Sequence, residues 1–99
     1  MELNAAFGEA LKRIRNFQKK TQEDFSDVSS RTYMSTLERG LKSPTIEKVD
    51  AISAVLDVHP LTLLVATYLV QEQLDVSILM TQIHEELGVM GWQDRSSAE

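Results

Sequence analysis

Apolar side chains recur at steps of three and four along nearly the whole of this 99-residue chain, and no stretch alternates strictly like a half-buried strand. That pattern commits the chain to an all-α fold, and the punctuation between the apolar stripes divides it into six helical segments. Phe7, Leu11 and Ile14 stripe the first, from about Leu3 to Lys19 or Lys20. Thr21 then reads as a cap whose hydroxyl accepts from the Asp24 amide, with Asp24 as a short acidic third position of a capping box. It opens a brief helix, Gln22 to Val28, with Phe25 and Val28 inward. Ser29 and Ser30 are successive candidate caps for the next, Arg31 to Arg39, which stops at Gly40. Met34 and Leu37 point inward from that segment, while Arg31, Thr32, Ser35, Thr36 and Arg39 line its other face.

Ser43-Pro44-Thr45 is a further start signal, with proline tolerated in a first turn because its missing amide proton has no partner there. The segment it opens, Thr45 to Leu56, carries the stripe Ile46, Val49, Ile52 and Leu56, and Asp57-Val58-His59-Pro60 breaks it. Leu61 to about Gln73 is apolar on nearly every face, more than one small core needs. The last segment has Asp75 as candidate cap and Gly88 as candidate stop. Its residues Val76, Met80, Ile83, Leu87 and Met90 follow steps of four, three, four and three, the spacing of a helix-to-helix seam.

Charge is divided as sharply as hydropathy. The net of -5 suggests no affinity for nucleic acid, yet nine of the ten basic residues fall in residues 1–48, which carry a net of +2. Residues 49–99 hold only Arg95 against eight acids. Such asymmetry points to two halves with separate tasks. With no cysteine there is no disulfide framework and no thiolate nucleophile or metal ligand, which fits a reducing compartment. The acidic start Met1-Glu2-Leu3-Asn4 does not read as a secretory signal, and the ten apolar-rich residues Leu61 to Val70 are too few to span a bilayer. A cytoplasmic protein without membrane contact is expected. Neither His59 nor His84 has a second ligand at metal spacing, and no nucleophile stands beside a base in a catalytic motif. Neither a metal, a cofactor nor an enzymatic activity is expected.

Two short helices joined by a tight turn, the second exposing polar side chains at its N-terminal end, form the unit that enters a DNA major groove. The run Thr21-Gln22-Glu23-Asp24-Phe25, then Ser30-Arg31-Thr32-Tyr33-Met34-Ser35-Thr36-Leu37-Glu38-Arg39-Gly40, then Lys42-Ser43-Pro44-Thr45-Ile46-Glu47-Lys48, resembles the lambda-repressor-like, XRE-type helix-turn-helix regulators. The usual wording of that family is T-Q-E-x-L, S-R-x-Y-I-S-x-I-E-R-G and S-P-x-L-E. The likeness covers about Phe7 to Leu64. It implies a five-helix DNA-binding domain, here with an additional C-terminal helix.

The resemblance further implies base contacts from Arg31, Thr32, Tyr33 and Thr36. Arginine can bond guanine O6 and N7 together, and threonine offers a hydroxyl and a methyl. Gln22, Ser35, Arg39, Lys42 and Ser43 fall at phosphate-contacting positions, which fix register without reading sequence. Arg15 and Glu38 fall at the positions of a structural ion pair. The basic stretch Lys12 to Lys20 is either a solvated face or a further phosphate contact, and Asp24 and Asp27 either cap and solvate their turn or touch RNA polymerase. Two departures stand out. Five residues separate Phe25 from Arg31 where the family usually has seven, without its turn glycine, and Lys19 stands where a glycine commonly closes the first helix.

Residues 1–70 are therefore expected to form the DNA-binding domain, 71–90 a dimerisation extension and 91–99 a flexible tail. The apolar surplus of Leu61, Leu64, Val65, Tyr68 and Leu69, with Val76, Met80, Ile83 and Leu87, is the expected interface of a homodimer on a pseudo-palindromic operator, acting as a repressor. The rival reading is an antitoxin or protein-interaction module whose acidic half holds a partner protein.

Overall fold

The computed structural model describes residues 1–95, and the chain is all-helical over them. Helix α1 spans Leu3–Phe17, a 3-10 turn spans Gln22–Phe25, and α2 spans Arg31–Glu38. Helices α3, α4 and α5 follow at Ile46–Leu56, Pro60–Glu72 and Val76–Val89. The first five segments make the five-helix lambda-repressor-like arrangement, and α5 is the added C-terminal helix. Residues 96–99 of the tail expected at 91–99 lie outside the described residues.

The caps follow from local chemistry. Thr21 Oγ1 accepts from the Asp24 amide at 3.3 Å while Asp24 Oδ2 accepts from the Thr21 amide at 2.7 Å, the reciprocal capping box. Ser30 and Thr45 cap α2 and α3 through the amides of Tyr33 and Lys48, each at 3.0 Å. Pro44 therefore lies before the α3 cap and not in its first turn. The proline that does occupy a first helical position is Pro60, behind His59, whose Nδ1 accepts from the Leu61 amide at 3.0 Å.

Several boundaries differ from the sequence reading. Residues 22–28 are no α-helix: Gln22–Phe25 make one 3-10 turn and residues 26–28 a run of turns, with only five residues between Phe25 and Arg31. Helix α1 ends at Phe17 because Lys19 takes the left-handed conformation at φ 59° that glycine usually supplies. The Lys20 amide then reaches the Arg15 carbonyl at 2.9 Å and the Lys19 amide the Asn16 carbonyl at 3.1 Å, satisfying the last carbonyls. Gly88 does not stop α5; the left-handed residue is Gly91, at φ 95°.

The core gathers Phe7, Ala10, Leu11, Phe25, Met34, Leu37, Val49, Ile52, Leu56 and Leu63, so every segment except α5 contributes to it. Each large side chain so buried contributes roughly 1.5–3 kcal/mol relative to exposure. Ala6 and Ala10 of α1 are buried, and the most extensive contact of α1 is with α4. Gln18 Nε2 donates to the Leu56 carbonyl at 2.9 Å and ties the end of α1 to the end of α3. Ile46, expected in the core stripe, is instead 87% exposed: as the first helical residue it precedes the turn at which α3 meets the core.

Helix α5 stands apart. Among the described residues it buries only Leu79 and packs chiefly on α4, and the longest dimension of the chain is 46 Å. No single helix among the described residues is long and apolar enough to cross a membrane.

Candidate nucleic-acid interface

The α2 helix is held at both ends by different devices. At its C-terminal end, Arg15 from α1 grips Glu38 with two bonds, Nε to Oε2 at 2.6 Å and Nη2 to Oε1 at 3.0 Å. Both side chains are nearly withdrawn from water. Arg15 Nη1 also donates to the Lys20 carbonyl at 2.9 Å. The hydrogen bonds to Glu38 raise the Arg15 pKa above its usual value, against the opposing effect of burial. The expected Arg15–Glu38 pair is thus formed with the planar two-point geometry that suits guanidinium and carboxylate.

Gln22 joins this network, donating from Nε2 to Glu38 Oε1 at 3.2 Å. One amide proton is thereby taken, and the second has no acceptor among the described residues. Two backbone approaches complete the clamp. Gly8 lies so close to the carbonyls of Leu37 and Glu38 that an added β-carbon would sit 2.5–2.6 Å from them, and Gly40, at φ 73°, packs on the backbone of Ala5.

At the other end, Ser30 caps the helix and its first turn carries no acid. Arg31 and Thr32 are exposed, and Ser35 and Thr36 half-buried beside them. Thr36 Oγ1 donates to the Thr32 carbonyl at 2.8 Å, which leaves its lone pairs and methyl to face outward partners. Arg39, Lys42 and Ser43 are exposed on the exit from α2. Tyr33 differs from its neighbours: it packs in part against the core, and the Lys48 ammonium lies 5.5 Å from its ring centroid. Lys48 Nζ also donates to the Val28 carbonyl at 2.6 Å. No sequence signal singled out Lys48 or Gly8, since their partners lie far away in the chain.

The basic stretch Lys12 to Lys20 separates into distinct roles. Arg13 pairs with Glu9 at 2.6 Å on an exposed face, Arg15 is committed to Glu38, and Lys12, Lys19 and Lys20 make no ion pair among the described residues. Asp24 is occupied by its cap: the Thr21 amide bond is the main cause holding its pKa below the usual aspartate value. Asp27 is exposed.

Seven of the nine apolar residues read as an interface line two grooves flanking α4, with Leu61 on both. Leu61, Val65 and Leu69 with Val76 and Met80 line an open groove of about 510 Å³ between α4 and α5. Leu61, Leu64 and Tyr68 line the other, about 310 Å³, together with Phe7 and Ile46. Ile83 and Leu87 lie farther out on α5, Leu87 being 42% exposed. Leu79, which the seam pattern omits, is the α5 residue that anchors the helix to its own domain.

A helix-turn-helix family profile matches residues 11–63. The clp gene regulator ClgR from Corynebacterium glutamicum has a crystal structure similar to this chain, at 22% identity and a TM-score of 0.67, covering 94% of this chain and 98% of that one. This likeness is one of fold. No curated protein matches the chain.

Proposed function

Because the chain belongs to the lambda-repressor-like, XRE-type helix-turn-helix family, we propose that it is a DNA-binding transcriptional regulator that reads its operator with α2. The observation that carries this reading is the pairing of an exposed Arg31 and Thr32 at the capped end of α2 with a clamped far end at Glu38. Exposed donors on a fixed helix are what base-edge readout requires. Arg31, Thr32 and Thr36 meet bases, with Tyr33 at their edge. Gln22, Ser35, Arg39, Lys42 and Ser43 meet phosphates, and the acidic surface of the second half turns away from DNA. The similar structure is that of a gene regulator, which supports the regulatory part.

Residues 1–70 act as the reading domain and 71–90 as a dimerisation arm, so that two copies present their α2 helices about 34–36 Å apart, one DNA turn. Bound there, the dimer represses by occluding polymerase. A second reading has one observation in its favour: the exposed apolar side chains of α5 alongside Glu85 and Glu86 would also suit a basic partner protein.

Selection of duplexes from a random pool tests the proposal, followed by titration of the best sequence at two salt concentrations. A palindromic consensus with salt-sensitive binding that Arg31→Ala with Thr32→Ala weakens is the expected result. Absence of any selected sequence at low salt overturns it.

A further inference from the structure

The turn before α2 is two residues shorter than the family's usual one and lacks its glycine, so something else has to set the direction in which α2 leaves it. Lys48 lies on α3, at the residue whose amide the Thr45 hydroxyl caps at 3.0 Å, and its backbone is therefore fixed. From there its side chain spans to both sides of the turn: the ammonium donates to the Val28 carbonyl at 2.6 Å and lies 5.5 Å from the Tyr33 ring centroid. One charged group thus joins α3, the turn and the first turn of α2. The bond to a carbonyl is charge-assisted, stronger than a neutral one. The side chain is only half-buried, so little of the charge's hydration is lost.

The contrast between the ends of α2 gives this contact its consequence. The C-terminal end is held by Arg15, Gln22, Gly8 and Gly40. At the N-terminal end, where Arg31 and Thr32 stand exposed, Lys48 supplies the polar bond that crosses from another helix. We propose that Lys48 is a positioning residue for DNA sequence discrimination, fixing the angle at which α2 presents Arg31 and Thr32 without itself contacting phosphate. This inference rests on the DNA-reading function proposed above.

Lys48→Met keeps the aliphatic stem and removes the ammonium, whereas Lys48→Arg keeps a donor and a cation for the ring. In the Met variant, exchange of the hydrogen-bonded amides of Ser29, Tyr33 and Met34 is expected to speed about tenfold, the loss of one charged hydrogen bond, while Leu37–Gly40 is unchanged. The ratio of affinities for the selected duplex and a scrambled one should fall about fivefold or more, the low end of one misplaced base contact. The salt dependence of binding should keep its slope, and Lys48→Arg should restore both exchange and ratio. Unchanged exchange and ratio overturn the inference. So does a salt slope lowered by about 0.9 at constant ratio, the mark of a lost phosphate contact. A wild-type chain that selects no duplex overturns the DNA reading and with it this role. The exchange data, measured without DNA, tell that failure from one confined to Lys48.

Discussion

The Glu38 carbonyl stands 2.5 Å from the point a β-carbon on Gly8 would occupy, so α1 and the end of α2 meet backbone to backbone. The neighbouring Leu37 carbonyl is 2.6 Å from the same point, and neither can swing aside as a side chain could. Gly8→Ala is therefore expected to cost about 3 kcal/mol, the upper range for overpacking, although alanine is the better helix former. Urea denaturation measures it. A neutral or stabilising alanine would mean that the two helices separate freely.

The Arg15–Glu38 pair has a different signature. Glu38→Gln leaves the guanidinium largely buried with half its partner gone, and a loss of about 3 kcal/mol is expected. Adding Arg15→Met should recover part of that loss, since two apolar or neutral groups need no mutual compensation. The folded-state pKa of Arg15 is raised, so its contribution is complete below the usual arginine range and fades only above it. The double-mutant coupling should consequently be the same at pH 6 and pH 9 by denaturation.

These two contacts also show how far local signals reach. The caps at Thr21 and Ser30 were legible because each involves a hydroxyl and an amide three residues on, whereas at Thr45 the preceding proline read as part of the first turn and hid the cap. Arg15 with Glu38 was legible only through the family resemblance. Gly8 and Lys48 gave no signal, because a close backbone approach and a lysine reaching a turn carbonyl leave no periodicity behind. Ile46 continued the apolar stripe of α3 faithfully, yet the helix starts there and turns it to solvent. Likewise, the seam pattern marked α5 as apolar, but which residues its own domain covers depends on the angle at which α5 leaves α4.

Asp24 ties the turn to pH. Its pKa lies below the usual aspartate value, chiefly because its carboxylate accepts from the Thr21 amide. A depressed folded-state pKa means stabilisation that is present above the unfolded value and lost as pH falls through the folded one. The Asp24 carboxyl should titrate below a model aspartate by NMR. Thr21→Ala leaves the amide in place and should move that midpoint only slightly. Asp24→Asn should remove this part of the acid sensitivity of folding.

Lys19 holds a left-handed conformation that disfavours side chains, at φ 59°, and it is exposed. Lys19→Gly relieves that strain while adding freedom to the unfolded chain, so a net gain of about 0.5–1 kcal/mol is expected. Thermal unfolding checks the sign. If Lys19 also contacts phosphate, the same variant binds DNA with a shallower salt dependence, which separates the two effects.

The α5 arm carries the dimer reading to a decisive test. Fourteen helical residues span about 21 Å. Over that length Val76, Met80 and Leu87, which share one face of the helix, are each 42–53% exposed, an apolar row the domain leaves uncovered. The radius of gyration, 15.1 Å, exceeds the roughly 13 Å of a compact chain of this length. A second copy laid into the groove of Val65, Leu69, Val76 and Met80 would cover that row, whereas a charge placed there would have to be buried unpaired. Val65→Glu with Met80→Glu should therefore leave the helical content and core stability of one chain intact while converting dimer to monomer in sedimentation equilibrium. Operator affinity should fall with it, because two half-sites would no longer be bound as one event. A wild-type chain that is monomeric throughout the micromolar range overturns the dimer reading, and loss of fold in the double variant would place this face inside the domain's own packing instead.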